Sequence, residues 1–378
     1  MSNYKKSKPI FIVGAHRSAT SHLKKCVQEG FDMPGNTEGY IWSNISSLKE
    51  KIDYVINVTL NGEKSGLGAN FSIKKFGHSR VLESVIKSID EIHQTELNSI
   101  KWIDKTPGPD MIKILPSLNQ YFPSAKIIYC IRDCVQNLES RRIRFNNPDL
   151  EKPIQNYSNT IINWEEIKDN LNENYIIIDQ SNLKSAPEDC AERISKYLEV
   201  ENNDKFIELL RGKTEKSDRE EKSSQEIFDN WTPRNKYHFF KNCFFFKNYN
   251  LKFENLYAVN TNTWTSSSWE NISDTLLIHP NLHKKVILIF PNIKISEDLK
   301  CLVKLKNKTR EEKVALRFTF SLRSRDNTEV RTIYLFNRNE IVEAEFLNKE
   351  KNDYILEVSC ENLTDNIFYN GCDLKVMY

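Results

Sequence analysis

The chain has 378 residues, with 54 Lys and Arg against 52 Asp and Glu, a net charge of +2. That balance excludes a bulk field for nucleic acid, and the length predicts two domains. No apolar run approaches the roughly 20 residues that span a bilayer. The short polar lead with Lys5, Lys6 and Lys8 is not a signal peptide, so the expected location is the cytoplasm. The eight Cys are scattered without the paired spacing of a zinc site; no metal is expected, and the thiols read as reduced.

In chain order, the first element is Ile10–Val13, a short buried strand between Pro9 and Gly14. A polar turn, Gly14–Ser21, follows, and then a helix whose first apolar positions are Leu23 and Val27. A strand that passes into a helix through such a loop aims backbone N–H groups at one point, an anion site. Thr20 and Ser21 add hydroxyl donors, and Arg17 adds a planar fork suited to phosphate or sulfate. A nucleoside-triphosphate loop needs G-x-x-x-x-G-K-[ST]. Here Ala19 replaces the second Gly, and the loop Gly14–Ala19 ahead of Thr20 holds no Lys.

Met33–Tyr40 reads as a loop carrying Glu38, with Asp32 just upstream. Trp102 and Ile103 are strand-like, and Lys105 follows at the strand's exit within Lys101–Pro107. Lys126–Ile131 is another short buried strand, with Arg132 at its end. A helix begins near Asp133, with Val135, Leu138 and Ile143 as its apolar positions. Ser140 and Arg144 lie four apart and share a helical face, so Arg132 at the strand end can meet both around one phosphate. Asn174–Asp179 is a fourth strand, followed by Gln180 and a Pro187-led helix carrying Ile194, Tyr197 and Leu198.

These segments, over about residues 8–200, resemble in order the motifs of the PAPS-dependent sulfotransferases, closest to the protein-tyrosine and glycan branches. PAPS is 3′-phosphoadenosine 5′-phosphosulfate. Pro9–Leu23 resembles the family's 5′-phosphosulfate loop, P-x-F-I-x-G-x-P-R-S-G-T-[ST]-x-L, with His16 in place of Pro and Ala19 in place of Gly. Ala19 would be strained if its backbone needs φ > 0. Arg132, Ser140 and Arg144 resemble the 3′-phosphate motif, and Asp104–Pro107 resembles [DE]-K-[TD]-P. The resemblance implies that Arg17, Ser18, Ala19, Thr20, Ser21, Arg132, Ser140 and Arg144 bind PAPS. It implies Glu38 as general base, with Asp32, Glu29, His16 and His22 as alternatives. Lys105 and Arg17 would steady charge on the leaving phosphate. Gln180 stands where some members carry the Tyr that contacts adenine.

The implied fold is α/β, a parallel-sheet, nucleotide-kinase-like domain over residues 1–235, with ligands beyond the carboxyl ends of the strands. Lys213–Ser224 reads as a solvated charged loop or one that closes over PAPS. The aromatic run Tyr237–Tyr249 marks a boundary. Beyond Leu251 the pattern has period two, with strands at Val286–Phe290, Lys300–Leu305, Ala315–Leu322, Val330–Phe336, Ile341–Phe346 and Tyr354–Val358. Residues 251–378 are therefore expected to form an antiparallel β-sandwich. Trp264 and Trp269 there would stack on sugar or plug the sandwich end. The expected partner is a hydroxyl acceptor, first a glycan, with a tyrosine-bearing protein or small alcohol open. Two further readings stand: a glycan-binding protein with a catalytically dead sulfotransferase-like domain, and a nucleotide-dependent phosphotransferase.

Overall fold

The computed structural model describes residues 6–35, 41–64, 78–201, 204–212, 222–246, 249, 251, 257–258, 276–278, 286–295, 299–307, 316–335, 341–347, 352–362 and 370–377. The chain divides into two compact units, Met1–Lys222 and Ser223–Tyr378.

In the first unit, β1 (Ile10–Gly14), β2 (Ile103–Lys105), β3 (Lys126–Ile131) and β4 (Tyr175–Asp179) form a parallel sheet in the order β2-β1-β3-β4. Every residue of β1 is buried. A strand buried on both faces must be apolar throughout, which is why Ile10–Val13 is a continuous run. Its side chains alternate between two cores. Phe11 and Val13 join Trp42, Trp102, Phe122, Tyr129 and Trp164 on one face; Ile10 and Ile12 join Leu23, Val27, Ile128, Ile178 and Ile194 on the other. Helices α2 (Ile41–Lys64), α3 (His78–Leu97), α4 (Pro109–Tyr121) and α6 (Glu151–Ile167) contribute to the first core. The second is filled by α1 (Thr20–Gly30), α7 (Gln180–Ser185), α8 (Pro187–Leu198) and α9 (Asp204–Arg211). The parallel direction carries Gly14, Lys105, Ile131 and Asp179 to one edge of the sheet, and the loops that follow them gather there.

Helix α5 (Cys134–Phe145) follows β3 and buries Val135 and Leu138. Ile143, expected on the same apolar face, is instead 45% exposed. More than a turn further on than Leu138 and two residues from the helix end, it lies where α5 runs out past the core.

The second unit opens with α10 (Ser224–Asp229) and α11 (Pro233–Asn242). Ser223 and Glu226 form a reciprocal cap for α10. The aromatic run packs within this unit: Phe228, Phe239, Phe240 and Phe244 are all buried and in mutual edge or tilted contact. Two antiparallel sheets follow. One has the order β10-β9-β12-β7-β5, from β5 (Tyr257–Ala258), β7 (Val286–Ile295), β9 (Leu316–Arg323), β10 (Thr328–Leu335) and β12 (Asn352–Asn362). The other has the order β11-β8-β13-β6, from β6 (Leu276–Ile278), β8 (Leu299–Asn307), β11 (Ile341–Phe346) and β13 (Asn370–Met377). Phe290, Phe318, Phe320, Leu356 and Val358 of the first share one core with Leu299, Cys301, Ala344 and Phe346 of the second, which makes a sandwich. All six expected strands form, and β5, β6 and β13 are additional. Trp264 and Trp269 lie outside the described residues, as do 213–221 of the charged segment.

Candidate active site

The loop after β1 is built on backbone conformations that most side chains avoid. Gly14 has φ 144°, and a Cβ there would lie 2.3 Å from the Cys130 carbonyl oxygen on β3, so only glycine fits. Its own carbonyl accepts the Gly108 N–H at 2.9 Å, which joins the loops after β1 and β2. Arg17 (φ 73°) and Ala19 (φ 63°) are both left-handed. The conformation that would strain Ala19 is therefore present, and the methyl is carried in spite of it. From there α1 starts at Thr20, with its first N–H groups lacking acceptors inside the helix.

Three side-chain bonds pin this loop to the segment after β3. Arg17 Nε donates to Ser140 Oγ at 3.1 Å, and Arg132 Nη1 donates to the Arg17 carbonyl at 3.1 Å. The buried Asn137 Nδ2 donates to Ser18 Oγ at 3.0 Å. Arg132 is held in turn by Tyr157, whose hydroxyl donates to the Arg132 carbonyl at 3.0 Å. Asp133 caps α5, its Oδ1 accepting the Gln136 N–H at 2.9 Å. Arg144 completes the group: burial and then the Arg144 charge both push the Arg17 guanidinium below its ordinary pKa. The residues expected at two separate ends of one ligand thus form one continuous cationic wall.

Lys105 sits at the end of β2, 3% exposed. Burial, then Lys24 and Arg17, lower its pKa to about 8. His16 is half-buried against Gly108, and burial, then Arg141 and Lys105, lower its pKa to about 4. Asp104 is buried with Thr106 Oγ1 donating to its Oδ1 at 2.8 Å, and burial raises its pKa to about 6. Cations thus depress one another around the loop, an electrostatic condition that a bound polyanion relieves.

Thr20 is buried and Ser21 exposed at the first turn of α1. Glu38 lies outside the described residues. Of the alternative proton acceptors, Glu29 is exposed and paired with Lys25 at 3.9 Å, Asp32 is exposed, and His22 packs beside Cys26. Gln180 opens α7, where Asp179 Oδ1 accepts from Ser181 N at 2.8 Å. Sequence reasoning missed Asn137, Tyr157 and Lys24. Asn137 had one usable signal, lying one turn before Arg141 on the helix that carries Ser140 and Arg144. Arg141 and Arg142, adjacent on α5, differ: Arg142 pairs with Glu139 at 2.6 Å near the surface, while burial lowers the pKa of Arg141.

The sequence profile of the sulfotransferase family matches residues 9–204, just over half of the chain, and the protein belongs to that family. Among solved structures it is similar to the sulfotransferase domain of the olefin synthase of Synechococcus PCC 7002. That match has 15% identity over 61% of this chain and 89% of that one, with a TM-score of 0.38. It is also similar to a sulfotransferase of Mycobacterium avium, at 11% identity over 59% and 72% of the chains, TM-score 0.36. A carbohydrate-binding module solved with β-1,4-galactotriose matches 32% of this chain and 81% of its own at 10% identity, TM-score 0.20. No curated protein sequence matches the chain. No described helix is long and apolar enough to cross a membrane.

Proposed function

We propose that this sulfotransferase moves a sulfuryl group from PAPS to an acceptor hydroxyl, first of all on a glycan. The observation that carries the reading is the joined cationic wall: Arg17 bonded to Ser140, Arg132 bonded to the Arg17 carbonyl, and Arg144 and Lys105 within reach of the Arg17 charge. The donor set fits a ligand with two oxyanion ends, since two guanidinium forks, a helix N-terminus, hydroxyls and an ammonium converge at the carboxyl edge of a parallel sheet.

PAPS supplies the sulfuryl group, and the chain supplies position and charge. Arg17, Ser18, Ala19, Thr20 and Ser21 hold the 5′ end; Arg132, Ser140 and Arg144 hold the 3′-phosphate. Glu38 takes the acceptor's hydroxyl proton as the new O–S bond forms and the S–O bond to the 5′-phosphate breaks. Lys105 and Arg17 stabilise the charge that returns to that phosphate as 3′,5′-adenosine bisphosphate leaves. We assign donor binding to residues 1–235 and acceptor handling to 251–378, by analogy with sandwiches appended to sugar-modifying enzymes. Seven free, buried cysteines among the described residues support a reducing compartment, the cytoplasm.

Thermal stabilisation by 3′,5′-adenosine bisphosphate tests the reading. The bisphosphate should raise Tm, and Arg132→Ala should weaken its binding by about 2–5 kcal/mol. Stabilisation by ATP–magnesium alone would replace the reading with phosphoryl transfer. Glu38→Ala should abolish transfer from labelled PAPS while the bisphosphate still binds.

A further inference from the structure

We infer that Arg141 is an acceptor-recognition residue, which makes the acceptor an acidic sugar, one carrying a carboxylate or sulfate beside the hydroxyl that is modified. The inference rests on the function proposed above.

Arg141 lies on α5 one turn beyond Asn137, which holds Ser18 of the loop, and three residues before Arg144. It is fixed from the far side by α6, its Nη1 donating to Asn156 Oδ1 at 2.9 Å and to the Pro153 carbonyl at 3.3 Å. Both partners are neutral. Its Nε is buried with no hydrogen-bond partner, and no carboxylate pairs with it among the described residues. By contrast, the adjacent Arg142 has the bidentate Glu139 partner usual for a guanidinium. A partly buried guanidinium held in place by neutral groups alone is costly unless an anion completes it.

Charge matching says which anion. The donor brings about four negative charges at neutral pH, roughly two of them on its 3′-phosphate. Arg17, Lys105, Arg132 and Arg144 match these. Lys24 is near Asp104, whose charge acts on it. Among the described residues Arg141 remains, and it lies close enough to the loop for its charge to act on His16, which also feels Lys105. The surplus charge therefore lies near the same His16 stretch of the loop as the Lys105 charge. The Nη2 end of its guanidinium, which no group among the described residues bonds, suits a carboxylate or sulfate oxygen. A glycan bearing such a group is preferred over an acidic peptide, because it matches the acceptor class already proposed.

The full-length protein is saturated with 3′,5′-adenosine bisphosphate and titrated with D-glucuronate, glucose 6-sulfate or glucose, with Tm and calorimetric binding as readouts. An acidic sugar should bind at least tenfold more tightly than glucose. Arg141→Gln should erase that preference while changing bisphosphate affinity less than twofold. If the glutamine variant does not fold, Arg141→Lys serves: it keeps the charge, loses the fork, and should weaken the acidic sugar severalfold with the bisphosphate unaffected. Equal binding of acidic and neutral sugars, or no binding of any, overturns the inference. So does a tenfold loss of bisphosphate affinity in Arg141→Gln, which would put Arg141 in the donor site. Selective binding of a glutamate-flanked tyrosine peptide in place of glucuronate overturns the sugar class. Failure of the wild type to bind the bisphosphate is a different failure: it removes the proposed function, while the sugar titration without nucleotide still tests Arg141.

Discussion

At the scale of single residues, the loop after β1 sets its own constraints. Ala19 at φ 63° carries a left-handed penalty of about 1–2 kcal/mol. Glycine would relieve it but lose about 0.5–1 kcal/mol to the greater freedom of the unfolded chain, plus part of a methyl's burial. The two nearly cancel, so Ala19→Gly should lie within about 1 kcal/mol of wild type in urea unfolding. Ala19→Val should lose roughly 1–3 kcal/mol, because a β-branched residue tolerates that region least. Gly14→Ala leaves no such margin: its methyl would press into the Cys130 carbonyl, and β1 and β3 could not keep their register.

Lys105 gives a prediction with two opposite signs. Its pKa in the folded protein is lowered to about 8, while the unfolded chain keeps the proton to about 10.4. Between those values the unfolded state binds more protons, so the ligand-free protein should gain stability as pH rises from 8 to about 10.4. Binding of a polyanion favours the charged ammonium. Affinity for 3′,5′-adenosine bisphosphate should therefore fall above pH 8, approaching ~tenfold per pH unit. The ligand's 3′-phosphate is fully ionised there, its second pKa being about 6, so the slope reports the lysine. Lys105→Arg should flatten it. A wild-type affinity constant from pH 7.5 to 9.5 would remove Lys105 from the pocket.

At the scale of elements, α5 is the part on which most of the site depends, since Asn137, Ser140, Arg141 and Arg144 all ride on it. Its N-terminus is fixed by the Asp133 carboxylate on the Gln136 N–H. Asp133→Ala should cost about 1 kcal/mol, and Asp133→Asn only a few tenths, because an amide oxygen caps as well. Urea midpoints at constant slope check both. The sequence made this helix legible from its start, since the strand Lys126–Ile131, the Arg at its exit and the capping Asp succeed one another directly. The face that α5 turns inward was less so. Val135 and Leu138 declare it, but Ile143 is exposed and Arg141 partly buried, because the packing partner there is α6, whose Pro153 and Asn156 lie 12 and 15 residues from Arg141 by chain and are invisible to local periodicity. Strands β1, β3 and β4 were readable as short apolar runs ended by Gly, Arg or Asp, and β2 from Trp102 and Ile103 ahead of Lys105. Strand β13 went unread although Cys372, Leu374 and Val376 alternate along it with Asp373 and Lys375, the pattern of a half-buried strand. The left-handed loop was legible only in part: the Ala19 strain could be stated conditionally from the missing Gly, whereas Arg17 at φ 73° gave no sign in the sequence.

At the scale of the molecule, the two units have unlike sources of stability. The first buries a two-faced parallel sheet and carries the cationic wall; the second is a sandwich with its own core of Phe290, Phe318, Phe320, Phe346 and their neighbours. A ligand that binds one native unit stabilises that unit by RT ln(1 + [L]/Kd), about 2.7 kcal/mol at a hundredfold excess over Kd. Calorimetry of the intact chain should accordingly show two transitions, of which 3′,5′-adenosine bisphosphate shifts one by about 4 °C or more, on the scale usual for a unit of 150–250 residues. The shifted transition should belong to Met1–Lys222: Arg132→Ala should abolish the shift, and Phe320→Ala in the sandwich core should lower the other transition while leaving the shift intact. A single transition that moves as a whole with the bisphosphate would mean that the units unfold as one, and the separate cores would then not be separate in energy.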